Sequence, residues 1–351
     1  MNLPGAKTRV LLVDDSPIAI RILLQILGKA SDIEVVGTAK DGKQALKMIA
    51  SLDPEVVCTD LHMPEMDGLE LVQRIMADFP RPILVVSVST TPGSRNVFQL
   101  LEAGALDVVV KPKLEQASEF SGIADELLNK IRILAGVHVF HKRKKVAASS
   151  AAPAYQLPEG QKSRYRMIVI GASTGGPQAL LSVLSKLPQN FPVPIVCVQH
   201  ISDGFLKNLL VWLADSSLLK YQLAHAGQLP QAGVIYFPPE RMQLKFDAQG
   251  RFMLEADTLF HGHCPSVSVT MLSAAMQFAD KAVGVLLTGM GDDGADGMLA
   301  MNQAGGLTIA QDENSCVVFG MPKQAIAMGA ARRVLDLELI AGNLIALCRD
   351  T

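Results

Sequence analysis

The sequence of 351 residues is short of several things, and each shortage excludes a class of function. It has almost no charge excess. Thirty-two Lys and Arg stand against 34 Asp and Glu, for a formal net charge of −2. That is not the footprint of a chain that holds nucleic acid or an anionic membrane surface. Cysteine is sparse and scattered: Cys58, Cys197, Cys264, Cys316 and Cys348 form no C-x-x-C pair. An odd, dispersed set reads as free thiols in a reducing compartment. No apolar run reaches the roughly 18 residues of a spanning helix. The opening MNLPGAKTRVLLVDDS has only a brief apolar stretch, and acids follow it at once, so it reads as a strand and not as a signal peptide. A cytoplasmic protein without membrane insertion is expected. There is also no repeat period of the kind that marks a solenoid.

What is present is core-forming material. Hydrophobic residues make up 49% of the chain, and its length fits two domains of about 150 residues each. Short Val/Ile/Leu runs alternate with stretches of helical periodicity, the pattern of parallel α/β sheets. Strands are expected at 9–13, 33–39, 56–59, 83–87 and 107–110, followed by a helix over 127–137. The runs are continuous rather than alternating, as strands buried on both faces should be. A basic run at 142–145 and the Ala/Ser/Pro-rich VAASSAAPAYQLPEGQ then read as a solvated linker. From Arg166 the alternation resumes, with strands expected at 167–170, 195–199, 233–237, 282–288 and 306–310. The expected organisation is a five-stranded parallel α/β domain over 1–138, a linker over 139–165, and a doubly wound, mostly parallel α/β domain over 166–351.

In the first domain, chemistry collects at strand ends. Asp14 and Asp15 follow the first strand, Asp60 the third, Ser87 ends the fourth, and Lys111 follows the fifth. The carboxyl ends of parallel strands share one edge, where ligands bind. Three carboxylates at one point repel each other and attract a hard divalent cation, for which Mg²⁺ is the natural choice. Asp60 is then placed to act as a nucleophile on a phosphoryl donor, with Lys111 and the Ser87 hydroxyl neutralising charge. Any one of these residues is explained as a polar strand end; the full set in this order is not. The strings LLVDDS, TDLHMPEMDGLELV, VVSVST and GALDVVVKP resemble a two-component receiver domain over roughly 8–125. The resemblance implies a flavodoxin-like fold, Asp60 as phosphoacceptor, and Asp14 and Asp15 holding Mg²⁺ with it. It also implies Ser87 and Lys111 as switch residues, a histidine kinase as phosphodonor, and a cis Lys111–Pro112 bond.

In the second domain, RMIVIGASTGGPQALLSVL reads as strand, Gly-rich turn and helix. Gly171-Ala172-Ser173-Thr174-Gly175 has the G-x-S-x-G spacing that lifts a serine hydroxyl clear of a sheet. A Gly-rich turn also suits a phosphate, but the segment fits neither G-x-G-x-x-G nor G-x-x-x-x-G-K-[ST]. His200 follows PIVCVQ, and TGMGDDGADG follows KAVGVL, so Ser173, His200 and Asp293 fall at one sheet edge in an order that geometry permits. The strings IGASTGG, VQH, LLTGMGDDGADGM and GGLTIAQDENSCVVFGMP resemble the catalytic domain of the protein-glutamate methylesterases of bacterial chemotaxis, over about 166–345. The resemblance implies Ser173 as nucleophile, His200 as general base and Asp293 as its orienting acid. It places the Met290 N–H in the oxyanion hole and Thr174 in the site lining. Asp292 and Asp296 are competing acids in the same turn.

The implied activity is hydrolysis of glutamate γ-methyl esters on chemoreceptors, with no cofactor for the esterase; some members also deamidate glutamines. The sequence departs from the usual pattern at Ile201-Ser202-Asp203, at Met242 in place of histidine, and at Ser268 in place of aspartate. These positions are expected to line the substrate approach. His261-Gly262-His263-Cys264 offers donors of the kind zinc takes but no obvious fourth ligand. The rival readings are a receiver-linked docking module with an inert triad, and a transcriptional regulator. The second lacks any basic helix-turn-helix pattern in its output half.

Overall fold

A run such as VLLV or IVCV carries no polar face, so it is stable only between two layers of helix. The computed structural model, which describes residues 7–88, 96–112, 117–137, 139 and 163–348, builds two such sandwiches. They form two compact units, one built on residues 1–148 and the other beginning at 149. Most of the expected linker and the basic run lie outside the described residues.

The first unit runs β1 (Thr8–Val13), α1 (Pro17–Leu27), β2 (Ile33–Ala39), α2 (Gly42–Leu52), β3 (Val56–Thr59), α3 (Gly68–Asp78), β4 (Ile83–Ser87), α4 (Asn96–Ala103), β5 (Asp107–Val110) and α5 (Ala117–Ala135). Its sheet has the order β2-β1-β3-β4-β5, and every pairing is parallel. Side-chain caps set the helix starts: Ser16 accepts from the Ala19 N–H, Asp41 from Gln44 and Asp67 from Glu70. The strand order reverses direction between β1 and β3, and at such a switch point the crevice beyond the strand ends opens for a ligand. The Lys111–Pro112 bond is trans, against expectation; among the described residues the cis peptide bond is Cys264–Pro265. The two isomers of an X–Pro bond differ by only about 0.5–1 kcal/mol, so local sequence does not decide between them.

The second unit runs β6 (Met167–Ala172), α6 (Gly176–Leu184), β7 (Ile195–Gln199), α7 (Leu206–Asp215), β8 (Lys220–Leu223), β9 (Val234–Phe237), β10 (Met242–Phe246), β11 (Phe252–Ala256), α8 (Val267–Phe278), β12 (Ala282–Leu286), α9 (Ala295–Gln303), β13 (Leu307–Gln311), α10 (Met321–Ala327), β14 (Arg333–Leu335) and α11 (Leu337–Leu347). Seven strands make one parallel sheet, β14-β13-β12-β6-β7-β9-β8, while β10 and β11 pair as a separate antiparallel hairpin. The hairpin packs Leu244, Phe246 and Phe252 against Tyr236, Met271 and Phe278 in one buried cluster. Here β6 lies at the centre, and the order switches between β6 and β12. The ends of β6, β7 and β12 therefore flank the crevice. Among the described residues no helix is long and apolar enough to cross a membrane.

One buried ion pair ties the last helix of the first unit to its sheet. Lys130 on α5 donates to Asp107 at 2.9 Å and to the Val108 carbonyl at 2.6 Å, with Glu126 at 3.2 Å. Burial would push the Lys130 ammonium down, yet Asp107 and Glu126 outweigh it and hold the group above its ordinary value. Truncating one partner leaves the other as an uncompensated buried charge. Lys130→Ala is expected to destabilise the first unit by about 3–5 kcal/mol, read as a lower urea midpoint for its unfolding in the full chain.

Candidate functional site

In the first unit the candidate side chains stand at the ends of β1, β3, β4 and β5. The ladder continues one residue past the strands: the Asp14 N–H donates to Ala39 at 3.0 Å, Asp60 to Val13 at 2.9 Å, and Lys111 to Ser87 at 2.8 Å. Backbone bonds therefore fix the two acids and the lysine. Gly68 lets the following loop close over Asp60, because a Cβ there would lie 2.3 Å from the Asp60 carbonyl oxygen. Asp60 Oδ1 accepts from the Leu61 N–H at 2.7 Å, and Asp14 Oδ1 from Ser16 at 2.9 Å. Lys111 Nζ bridges the remaining oxygens, at 2.6 Å from Asp60 Oδ2 and 2.7 Å from Asp14 Oδ2. Burial raises Asp14 above its ordinary range despite the opposing Lys111 and Ser16, with Asp60 adding repulsion. Burial likewise opposes the charge on Lys111, but its two carboxylate partners hold it above its ordinary value. Ser87 is buried beside them at the end of β4.

The fit to a divalent cation rests on the donors themselves. Asp14, Asp15 and Asp60 bring carboxylate oxygens within 4.8 Å of one another. Asp14 Oδ2 is buried and ion-pairs with Lys111 without an aligned hydrogen bond. Hard oxygen donors with a solvent-exposed third member suit Mg²⁺, which keeps several of its waters.

In the second unit, three loops meet beyond β6, β7 and β12. Ser173 follows β6 and is half-buried; its N–H donates to the Thr288 carbonyl at 3.0 Å. The positive φ of this turn falls on Gly175, at 75°, and not on Ser173, so the serine stands on an unstrained backbone. Gly289, just beyond β12, approaches so closely that a Cβ on it would lie 2.7 Å from the Ser173 Cβ. Its N–H donates to Val318, and its carbonyl accepts from Gly320 and Met321; Met290, the next residue, is half-exposed. Thr174 is buried, its carbonyl accepting from the Thr288 hydroxyl at 3.0 Å. The Thr288 N–H in turn donates to Gln311 Oε1 at 2.8 Å.

Gln199 was not singled out by the sequence, yet it joins two of the three loops. Its buried Nε2 donates to the carbonyls of Ser173 and His200, both at 2.8 Å. Gly176 makes the room, since a Cβ there would meet Gln199 Oε1 at 2.1 Å. The available signal was a lone amide ending an otherwise apolar strand.

The acid is the best-defined member. His200 Nε2 lies 2.9 Å from Asp293 Oδ2. That carboxylate sits at the start of α8, where it accepts from the N–H groups of Val267 at 2.7 Å and Ser268 at 2.9 Å and from the Ser266 hydroxyl at 2.8 Å. Burial pushes Asp293 upward, but His200, the Ser268 N–H and the Ser266 hydroxyl outweigh it and hold the carboxyl well below its ordinary range. Asp292 and Asp296 are exposed, so of the three acids in this turn the structure pairs Asp293 with the histidine.

Two expectations change. Ser268 does not line an approach: it is buried, its N–H serves Asp293, and its hydroxyl accepts from the Gly294 N–H at 2.7 Å. It braces the acid-bearing turn. Met242 opens β10, half-buried. His263 leaves the suspected zinc group and joins His200 and Asp293, with donor atoms within 4.8 Å. The two imidazole planes are parallel to within 3° at 4.3 Å, so their in-plane lone pairs do not converge on one ion. This arrangement is not a metal centre.

A family model described as CheB methylesterase matches residues 168–344, and one described as response regulator receiver domain matches residues 10–119. A protein of Nitrosospira multiformis named protein-glutamate methylesterase/protein-glutamine glutaminase is 39% identical over 344 residues, covering 97% of each chain. A Carboxydothermus hydrogenoformans protein of the same name, numbered 1, is 40% identical over 346 residues, covering 97% of this chain and 99% of the relative. The crystal structure of the Thermotoga maritima CheB methylesterase catalytic domain overlays on 52% of this chain and 98% of that one, with 40% identity and a TM-score of 0.51.

The pH dependence of the acid follows from its depressed value. A carboxyl ionised more readily in the folded state adds stability that is fully present above its unfolded value, here 3.8, and is lost as pH falls through the lower folded value. Asp293→Asn should therefore cost stability at neutral pH and progressively less below pH 3.8, measured by urea unfolding of both proteins between neutral and acid pH. A cost that stayed constant into acid would contradict the electrostatic account.

Proposed function

We propose, on the premise that this chain belongs to the CheB methylesterase family and carries a receiver domain ahead of its esterase domain, that it is a phosphorylation-regulated serine esterase. Its substrates are glutamate γ-methyl esters of chemoreceptors, hydrolysed for sensory adaptation. The observation that carries this reading is the His200–Asp293 pair standing at the strand ends beside Ser173.

Asp293 engages Nε2, so the other ring nitrogen, Nδ1, is left to take the Ser173 proton. The serine oxygen then attacks the ester carbonyl, and the Met290 N–H is the donor assigned to the developing oxyanion. The proton passes from His200 to the departing methoxide, and methanol leaves. Water, activated by the same histidine, hydrolyses the acyl-enzyme and returns the glutamate carboxylate. Asp293 remains an anion throughout and stabilises the imidazolium. Glutamine deamidation is the same carbonyl chemistry with ammonia as the leaving group.

In the receiver, Asp60 is the phosphoacceptor for a chemotaxis histidine kinase, and Lys111 and Ser87 are the groups that respond to the new charge. Asp14, Asp15 and Asp60 would hold Mg²⁺, which when bound neutralises charge on the phosphoryl group. The rival docking module shares the fold and lacks only turnover, so activity decides between them.

Methanol release from methylated receptor membranes is the direct test. Ser173→Ala and His200→Ala should each lower kcat by about 10⁴-fold or more, since triad members act as a unit. Asp293→Asn should cost about 10²–10⁴-fold and Asp292→Asn little. Inverting the order of the two Asp variants would show the wrong acid was chosen, and an inactive wild type would leave the docking module standing. Separately, Asp60→Asn should abolish acyl-phosphate formation from a small phosphodonor with Mg²⁺. It should also remove the phosphodonor's stimulation of the esterase while leaving the basal rate. Phosphate incorporated at an unchanged level into that variant would overturn the assignment of Asp60.

A further inference from the structure

The loop between β11 and α8 presents a second imidazole to the first. Phe260 and His263 exchange backbone hydrogen bonds of 3.0 Å in both directions. The two residues between them, His261 and Gly262, have φ of 48° and 86°. Two left-handed residues inside such a pair make a type I′ hairpin turn, a stiff connection. The His263 carbonyl also accepts from the buried Gln243 amide at 2.8 Å, and Gln243 Oε1 takes the Ser266 N–H at 2.8 Å. The same Ser266 holds Asp293 through its hydroxyl. His263 is thus fixed to the frame that fixes the acid, and its ring lies flat on His200 at 4.3 Å between centroids.

The Asp293 bond sets the direction in which the His200 ring points but leaves the ring free to rock about that bond. A flat partner on one face removes that freedom, and small errors in reacting geometry carry large rate costs. The titratable groups around His263 are His200, Asp293, Asp292 and His261. Burial and the His200 charge hold His263 below its ordinary value, and the carboxylates of Asp293 and Asp292 offset this only in part. The ring is therefore uncharged at neutral pH. A second cation at this distance would oppose the imidazolium that forms when His200 takes the serine proton; a neutral π face does not.

We propose that His263 is a positioning residue of the esterase: its ring stacks on His200 and holds the imidazole in the plane that keeps Nε2 on Asp293 and Nδ1 toward Ser173. This role rests on the serine-esterase reading above. The role belongs to the flat face of the ring and not to its nitrogens, so it separates variants by shape.

The experiment uses the full chain and a small fluorophosphonate, which phosphonylates an activated serine with loss of fluoride and needs no receptor docking. Ser173→Ala is the blank. His263→Leu and His263→Ala should label about tenfold more slowly than wild type, and His263→Phe within about twofold of it. On methylated receptors kcat should fall in parallel while KM stays level. Leu keeps most of the bulk and carries the test if Ala fails to fold. A His263→Phe protein as slow as His263→Leu would overturn the stacking role, as would His263→Leu labelling at the wild-type rate. An unlabelled wild type would instead overturn the esterase reading, and this inference with it.

Discussion

The second unit depends on one buried charge. Asp293 is 3% exposed, and a carboxylate so placed is costly unless every lone pair is met. Its partners come from three directions: the His200 ring, the Ser266 hydroxyl, and two N–H groups at the open end of α8. Those N–H groups are among the donors that any helix start leaves unpaired, and the helix dipole favours an anion there. One carboxylate thus caps a helix, closes the turn after β12 and holds the His200 ring. Much of what looks like independent architecture serves this contact. Gln243 pins Ser266, Ser268 takes the Gly294 N–H, and the hairpin of β10 and β11 supplies Gln243.

Both units place their chemistry by the same rule. A parallel sheet collects the carboxyl ends of its strands on one edge, and the crevice opens where the strand order reverses. The reversal falls between β1 and β3 in the first sheet and between β6 and β12 in the second. This is why the site was so legible. Asp14, Asp60, Lys111, Ser173 and His200 each follow a buried apolar run directly, and a run of four or five Val, Ile or Leu residues fixes its own end. β2, β3, β4, β5 and β7 begin and end where the sequence places them.

The rest was hidden for physical reasons. β8 and β14 are short edge strands with half-buried or exposed positions, KYQL and RVL, and carry no continuous apolar signal. β10 and β11, MQLKF and FMLEA, mix buried with half-buried or exposed positions and fall between the longer periodic segments. α5 begins at Ala117, ten residues before the expected start, because its first turns are polar. Gln199 and His263 act through groups that sequence cannot rank: an amide straddling two carbonyls, and a ring met across 63 positions of chain. Ser268 misled because a substitution at a polar position invites a reading in terms of substrate. Its burial shows that the backbone N–H, which any residue but proline supplies, is what Asp293 uses.

The two carboxylate clusters are built to opposite ends, and the difference lies in what surrounds them. Asp293 is met by fixed donors that hold it well below the ordinary carboxylate range. A group so stabilised keeps one charge across the working pH range, and the proposed role of Asp293, an orienting acid that does not accept the proton it steers, needs that constancy. Asp14 is pushed the other way, by burial and by Asp60, and has only Lys111 and one N–H in opposition. Three acids share a single ammonium there, so the cluster retains negative charge that its own side chains do not neutralise. Such a site gains by taking up a cation, and under the proposed phosphorylation of Asp60 a phosphoryl group would add charge for Lys111 to offset. Constancy in one cluster and responsiveness in the other follow from counting donors: four to one carboxylate in the first case, one lysine among three in the second.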